Sequence, residues 1–260
     1  MAGRLTKSQR TGRTSIGCVG TTRHAIDVHA AVLKGMGRPV SRSHHVQDAQ
    51  MPLSLFGSPG SGSAAIEMAL RAAGVEYELV RASSWEPKSA LKRLLGVNPL
   101  GQIPTLVLLD GTVLTESAAI LISLGLQYPA AELLPHADGP RALAIRGLVF
   151  IAANCYASVS VSDYPARWTT SRSSHAREQV RQAARGQLHR SWEVFADTFG
   201  SESVLCAEQP GALAFLAVVV SQWSGSRRHL REYRPAFFES IGRIESHPRV
   251  AAVLRAQPGA

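Results

Sequence analysis

The chain has 260 residues and 45% hydrophobic content, enough to bury one large core or two modest ones. A formal net charge of +9 would ordinarily suggest a nucleic acid or an anionic membrane as a partner. Residues 1–50 carry eight Lys or Arg against two acids, whereas the rest of the chain carries twenty against seventeen. The excess charge therefore belongs mainly to the N-terminal segment, and we expect neither nucleic acid nor membrane as a partner.

The segment 1–50 has few large apolar residues and no sustained period, so we expect a basic, disordered N-terminal extension. Its Arg-rich, acid-poor composition is also typical of an organelle transit peptide. Because Met51 directly precedes the first strand-like segment, a start of the working chain at Met51 is a third interpretation. The sequence leaves these alternatives open.

Cysteine usage and apolar run lengths indicate the compartment. No apolar run reaches the ~20 residues that a membrane span needs. The three cysteines, Cys18, Cys155 and Cys206, lack metal-ligand spacing, and one is left over if the other two pair. We therefore expect a cytoplasmic protein without a metal.

From residue 51 onward the hydrophobic pattern alternates between strand and helix. "PLSLF" predicts a short buried strand, and the pattern from Ala64 to Ala73 predicts a helix that Gly74 ends. "VEYELVRA" predicts a second strand. A strand, a helix and a strand within this length indicate a right-handed crossover and parallel pairing.

The next segment completes a mixed sheet. "PKSALKRLLG" predicts a short helix, "TLVLL" a buried strand, and "TVLT" its antiparallel return after the hairpin dipeptide Asp110-Gly111. A helix is predicted from Glu116 towards Tyr128, with Thr115 or Ser117 as its N-cap. This order is that of a thioredoxin-like domain with a four-stranded sheet, which we place at 51–130.

After a linker at 131–140 the strand signals end, and 141–260 is predicted to be an all-helical domain. Helices are predicted at Ala142–Ser158, Ser173–Phe199, Gly211–Trp223 and Pro235–Ser246 and in "HPRVAAVLRA". The second of these is amphipathic, with these side chains expected to face inward: Val180, Ala184, Leu188, Trp192 and Phe195.

The turn "GSPGSGSAA" after the first strand is placed to hold a ligand. A phosphate-binding P-loop would need a lysine after its last glycine, and a dinucleotide fingerprint would need a third glycine where Ala65 stands. No Cys or His lies nearby to bind a metal. A small thiol therefore remains as the candidate ligand.

Four motifs of the chain carry a family resemblance. It rests on "SPGS" after the first strand, "NPLGQIPTL", "LTESAAI" at the start of the third helix, and "FFESIGRIESHPRV" in the helical half. With these motifs in this order, the chain from Met51 to about Arg255 resembles the glutathione S-transferases. The resemblance implies a homodimeric detoxification enzyme with glutathione as its co-substrate.

The resemblance also implies which residues bind glutathione. The Ile103-Pro104 bond could be trans or cis on the residues alone; the resemblance implies cis, with the Ile103 backbone facing an extended peptide. Glu116 and Ser117 fit either an ordinary helix start or a site for a carboxylate and an ammonium group. The resemblance assigns this pair to the γ-glutamyl end, and Gln102 to the peptide backbone.

A hydroxyl donor could stabilise the glutathione thiolate, which is the minor form of a free thiol at neutral pH. Counting from the strand, "FGSPGS" resembles the serine-using transferases, so we predict Ser61 as catalytic. Counting back from the helix, the same position falls on Gly60. The nucleophile of the cysteine-using bacterial class falls on Gly62, and the tyrosine of that class falls on Gly57.

Two neighbouring serines have simpler interpretations. Ser63 is expected to be the N-cap of the first helix, and Ser58 a turn residue before proline. A plain turn serine remains the alternative for Ser61 as well.

The helical domain should supply the pocket for the electrophile. Asn154, Tyr156 and Tyr164 are predicted to present polar groups there, whereas Trp192 and Phe195 are expected in the core. A lone cysteine on an apolar helix is usually buried and inert, which is our expectation for Cys155.

Three functions remain open. The first is a glutathione transferase whose thiolate attacks a small hydrophobic electrophile. The second is a binding or scaffold protein in which Gly60 and Gly62 mark a lost activator. The third is a glutathione-dependent thiol-disulfide reductase.

Overall fold

The computed structural model of the protein describes residues 53–205 and 208–256. Four features singled out in the sequence lie outside these ranges: the extension over 1–50, Cys18, Met51 and Cys206.

Four short strands form one mixed sheet. They are β1 (Ser54–Gly57), β2 (Glu78–Arg81), β3 (Thr105–Val107) and β4 (Val113–Thr115). The sheet order is β2-β1-β3-β4, with β1 parallel to β2 and antiparallel to β3, and with β3 antiparallel to β4. The predicted thioredoxin-like arrangement is confirmed.

Three helices cover the two faces of this sheet: α1 (Ser63–Ala72), α2 (Leu91–Val97) and α3 (Ser117–Gln127). Side chains alternate along a strand, so Leu55 and Leu106 belong to the core shared with α1 and α3, while Phe56 and Val107 pack with Leu94 of α2. The sheet therefore has an apolar layer on each side.

The predicted end of α1 at Gly74 is confirmed. Gly74 has φ +65°, a backbone conformation that favours glycine. The Gly74 N–H donates to the Arg71 carbonyl at 3.1 Å, and the Val75 N–H donates to the Leu70 carbonyl at 3.0 Å. These two bonds make a Schellman motif, which satisfies carbonyls at the helix end.

The hairpin between β3 and β4 is one residue longer than the two-residue turn that the dipeptide Asp110-Gly111 favours. The Leu108 N–H donates to the Thr112 carbonyl at 2.9 Å, and the Gly111 N–H donates to the Leu108 carbonyl at 3.0 Å. Gly111 has φ +83°. The loop is therefore a three-residue connection in which Gly111 takes the left-handed position that follows the turn.

The predicted N-cap of α3 is wrong. Thr115 is the last residue of β4, and Ser117 is already the first helical residue. Glu116 takes the cap position instead, with φ +63° and no side-chain capping bond. A glutamate in this backbone conformation is uncommon and costs about 1–3 kcal/mol, which points to a role for its position.

The second half of the described chain is helical, as predicted. Its helices are α4 (Asp138–Phe150), α5 (Ala157–Asp163), α6 (Ser174–Phe199), α7 (Glu202–Leu205), α8 (Ala212–Val220), α9 (Ser226–Tyr233), α10 (Pro235–Ser246) and α11 (Pro248–Arg255). Short 3₁₀ turns lie at Pro129–Ala131 and Pro165–Arg167. The boundaries at residues 130 and 141 remain predictions.

A π-helical segment, Ile151–Tyr156, joins α4 to α5 without a break. The resulting helix, Asp138–Asp163, is long and apolar enough to cross a membrane by length and composition alone. A core helix of a soluble protein passes the same test. Here the helix packs against α6 and α8, as a core helix does.

One continuous apolar cluster joins the sheet, α1 and α3 to the helical half. Trp192 and Phe195, expected in the core, are fully buried, with their rings 5.3 Å apart between centroids. Of the other inward residues predicted on α6, Ala184 and Leu188 are buried and Val180 is partly buried. This shared core fixes the position of the helical half relative to the ends of the strands.

Candidate functional site

A cavity of about 770 Å³ opens where the loops at the strand ends meet the helical half. The turn between β1 and α1, the loop before β3 and the start of α3 form one wall. The helix that contains Tyr156, together with Trp223, forms the other wall. Of the predicted site residues, the cavity brings together Ser61, Gln102, Ile103, Pro104, Glu116, Ser117 and Tyr156.

The turn after β1 holds its own hydroxyl groups. The Ser61 hydroxyl donates to the Ser58 carbonyl at 2.7 Å and lies 2.9 Å from the Ser63 hydroxyl. The Ser58 N–H donates to the Ser63 hydroxyl at 3.3 Å. Ser61 is therefore buried within the turn, and its proton points to a backbone carbonyl.

The helix start at this turn corrects one prediction. The N-cap of α1 is Gly62, and Ser63 is the first helical residue. The Ser63 hydroxyl is instead part of the turn, close to the Ser61 hydroxyl. Ser58, expected as a turn residue, also donates from its hydroxyl to the Glu86 carboxylate at 2.6 Å.

The loop before β3 carries the expected cis peptide bond between Ile103 and Pro104. Pro104 is buried, Ile103 is partly buried, and Gln102 is exposed at the cavity. The Asn98 side chain holds the loop, donating to the Gln102 carbonyl at 3.1 Å and to the Thr105 hydroxyl at 3.0 Å. Sequence reasoning missed Asn98, although an Asn before Pro is a turn signal.

The start of α3 presents a carboxylate and a hydroxyl to the cavity. Glu116 is exposed, and its carbonyl accepts the first intrahelical bond from the Ile120 N–H at 3.0 Å. Ser117 is buried, and its hydroxyl lies 3.3 Å from the Tyr156 hydroxyl. Unpaired N–H groups at this helix end attract anions.

Tyr156 reaches this wall from the helical half. Its ring meets the Trp223 ring edge-on, with 5.4 Å between centroids. Burial raises the pKa of the Tyr156 phenol to about 12; the hydrogen bond with Ser117 lowers it in part, and the Glu116 charge raises it further. The phenol therefore stays protonated at neutral pH and can donate a hydrogen bond.

Gly62 makes room for the Tyr156 hydroxyl. A Cβ atom built on Gly62 would lie 2.1 Å from the Tyr156 hydroxyl oxygen and 3.3 Å from the Ser117 hydroxyl oxygen. A side chain at residue 62 and this phenol cannot occupy the same space.

Asn154 and Cys155, neighbours of Tyr156, do not line the cavity. The Asn154 side chain is exposed and donates to the Phe150 carbonyl at 3.1 Å. Cys155 is buried, and burial raises the pKa of its thiol to about 12, so the thiolate is disfavoured.

The cavity is also lined by Tyr164, which was predicted to lie there, and by residues that sequence reasoning did not single out for it. The Arg167 guanidinium lies over the Tyr164 ring, 4.3 Å from its centroid. Asp163 also lines the cavity. Burial raises the pKa of its carboxyl group, and the positive charges of Arg185 and Arg181 lower it by a smaller amount. Trp85 and Trp223 would have needed long-range contacts to be recognised, because neither lies in a motif.

Within residues 53–205 and 208–256, no group of three or more His, Cys, Asp or Glu side chains is placed to hold a metal ion.

Comparison with known proteins supports the family resemblance. The sequence model for "Glutathione S-transferase, N-terminal domain" matches residues 63–126. An uncharacterized GST-like protein of Escherichia coli, YncG, is 36% identical over 118 residues, which are 45% of this chain and 57% of YncG. The chain thus spans little more than half of that relative.

Two longer matches cover nearly whole proteins. The glutathione S-transferase GstA of Escherichia coli O157:H7 is 27% identical over 79% of this chain and 98% of its own. A sphingomonad glutathione S-transferase solved in complex with glutathione is 25% identical, with a TM-score of 0.58 over 80% of this chain and all of its own. Residues 63–126 thus match the N-terminal domain of the glutathione S-transferases, and the chain is similar to members of that family over most of its length.

Proposed function

We propose that this protein binds glutathione in the cavity and uses its thiolate to attack a small hydrophobic electrophile. One observation carries the proposal. The cavity wall combines the N-terminal ends of α1 and α3 with the loop that contains Pro104. Helix N-termini stabilise anions, and a thiolate and a carboxylate are the two anions that glutathione would place there.

The proposed contacts follow the chemistry of each group. The backbone N–H and hydroxyl of Ser117 bind the γ-glutamyl carboxylate, and the exposed Glu116 carboxylate binds the ammonium group. The Ile103 backbone pairs with the extended tripeptide, and the exposed Gln102 side chain contacts its backbone. The sphingomonad relative was solved in complex with glutathione, which supports glutathione as the ligand.

The proposed reaction forms one carbon–sulfur bond. The thiol first loses its proton to solvent, and the sulfur lone pair then attacks an electrophilic carbon. With an aryl halide, the halide leaves with the electron pair of the broken bond. Apolar residues of the cavity, including Val159 and Trp223, fit a hydrophobic substrate. A homodimeric state and a cytoplasmic location remain predictions.

A binding protein without catalysis is the second candidate, and the Ser61 geometry favours it. The Ser61 hydroxyl donates to the Ser58 carbonyl, so it would have to rotate before it could donate to a thiolate. The reductase alternative has less support, because the buried Cys155 thiol resists ionisation.

Calorimetric titration of the full chain with glutathione tests the binding. The variant Ser117→Ala removes one hydrogen bond to a charged group, so its affinity should fall roughly tenfold. Ser246→Ala is the matched control, because Ser246 is exposed on α10 and its hydroxyl donates to the Gly242 carbonyl at 3.1 Å. No binding, or equal binding by both variants, would contradict the proposed site.

A turnover assay distinguishes the transferase from the non-catalytic binding protein. Spectrophotometric conjugation of a chlorodinitrobenzene should proceed with the wild-type chain and slow with Ser117→Ala. Glutathione binding without conjugation of this or other electrophiles would favour the binding protein.

A further inference from the structure

One hydroxyl close to the α1 N-terminus on the cavity side comes from the helical half. A Cβ on Gly62, the N-cap of α1, would lie 2.1 Å from the Tyr156 hydroxyl oxygen. The same oxygen lies 3.3 Å from the hydroxyl of Ser117, the first residue of α3. The Tyr156 hydroxyl therefore stands where two helix N-termini meet, and both favour a negative charge.

Two features of the fold orient the Tyr156 ring. Tyr156 is the last residue of the π-helical segment Ile151–Tyr156. Such a segment widens the helix locally and turns the side chains that follow, and it is common at functional sites. The edge-on contact with Trp223 fixes the ring from the side.

The Ser61 and Tyr156 hydroxyl groups differ in the hydrogen bonds that they already make. The Ser61 hydroxyl makes a short bond of 2.7 Å to a backbone carbonyl within its own turn. The Tyr156 hydroxyl makes a longer contact of 3.3 Å with the Ser117 hydroxyl, in which either group can donate. The Tyr156 proton can therefore turn towards a ligand at a smaller energetic cost.

We propose that Tyr156 donates the hydrogen bond that stabilises the glutathione thiolate, and that Gly62 is required because it admits this hydroxyl. The inference rests on the proposed function. The thiol proton leaves to solvent, Tyr156 keeps its own proton, and no bond to Tyr156 forms or breaks. The raised pKa of the phenol is consistent with this role, since a donor must remain protonated while the thiol ionises.

The test is Tyr156→Phe, with Tyr128→Phe as the matched control. Tyr128 ends α3, is partly buried against the core, and does not line the cavity. Calorimetry measures glutathione affinity, and ultraviolet difference absorbance of the bound thiolate measures ionisation over a pH series. Circular dichroism checks that each variant is folded.

At a pH below the midpoint of ionisation, where the bound thiol is mostly protonated, Tyr156→Phe should bind glutathione with nearly unchanged affinity. Its thiolate fraction at a pH below the midpoint of ionisation should fall roughly tenfold to a hundredfold, as expected for the loss of a hydrogen bond to a charged group. The kcat/KM for the chlorodinitrobenzene should fall with it. Tyr128→Phe should match the wild type in both.

Two other variants separate the outcomes. Gly62→Ala should displace the phenol and lose thiolate as Tyr156→Phe does, so it tests the inference if that variant fails to fold. Loss of thiolate in Ser61→Ala, with full ionisation in Tyr156→Phe, would overturn the inference and restore Ser61. If Tyr156→Ala bound glutathione more tightly and its bound thiol ionised fully, Tyr156 would only block the site, and the inference would again be overturned. If the wild-type chain does not bind glutathione, the proposed function itself fails.

Discussion

The close approach of Tyr156 to Gly62 predicts a strong energetic coupling between the two residues. Gly62→Ala would place a Cβ 2.1 Å from the Tyr156 hydroxyl oxygen, whereas ordinary contacts lie at 3.4–4 Å. The phenol must therefore move by more than about 1 Å against Trp223, and such overpacking costs about 1–3 kcal/mol of unfolding free energy.

Removing the hydroxyl should relieve this cost. In Tyr156→Phe the nearest ring atom, Cζ, would lie 3.3 Å from the new Cβ, a contact that small shifts can absorb. Gly62→Ala should therefore cost much less in the Tyr156→Phe background, with a coupling energy of at least about 1 kcal/mol. Urea unfolding followed by circular dichroism measures all four members of this cycle.

Gly96→Ala is the control for the glycine change itself. Gly96 is exposed in α2, and a Cβ there meets no atom within 4 Å. This variant should be neutral or more stable by up to about 1 kcal/mol, because alanine is the better helix residue. If Gly62→Ala lowered the free energy of unfolding equally in the wild type and in the Tyr156→Phe background, the Tyr156 hydroxyl would not lie over Gly62.

Two further predictions concern the helical half. The Arg227 guanidinium is largely buried and donates to the Glu245 carboxylate at 2.8 Å and to the Val218 carbonyl at 3.0 Å, so Arg227→Ala should cost about 2–3 kcal/mol in urea unfolding. Arg93→Ala, which breaks an exposed ion pair at 3.3 Å, should cost under about 0.5 kcal/mol, and an equal cost for both would contradict the account. Burial raises the pKa of the Cys155 thiol to about 12. Iodoacetamide near pH 8 should therefore modify Cys155 at least tenfold more slowly in the folded chain than in urea, as measured by peptide mass spectrometry. Equal rates would mean that the thiol is accessible in the folded chain.

The sheet and its helices could be predicted because local pattern and burial agree there. Leu55 and Phe56 lie on opposite faces of the sheet, as an apolar strand buried on both sides requires. Gly74 ends α1 because the left-handed backbone that it adopts favours glycine. The helix Pro235–Ser246 was predicted to the residue, since its start and its apolar period are both clear.

Elements with weak local signals were missed. The helix α9, Ser226–Tyr233, has Leu230 as its buried apolar residue and is otherwise rich in charge, so it lacks a clear apolar stripe. The four-residue helix α7 is too short for any period. The N-cap at Glu116 could not be predicted, because its φ of +63° contradicts the usual preference of glutamate.

Part of the cavity lining was predictable, because two short motifs supply it. The residues of "NPLGQIPTL" and "LTESAAI" converge on one cavity as expected. The relation between Gly62 and Tyr156 was not predictable, because it joins residues far apart in the sequence through the packing of the helical half. Their distance is set by the tertiary fold, not by a local pattern.

The most direct test of the account is a crystal structure of the full chain grown with excess glutathione. The γ-glutamyl carboxylate is expected at the Ser117 backbone N–H, and the sulfur within hydrogen-bond distance of the Tyr156 hydroxyl, above Gly62. An empty cavity, or a tripeptide bound elsewhere on the protein, would contradict it.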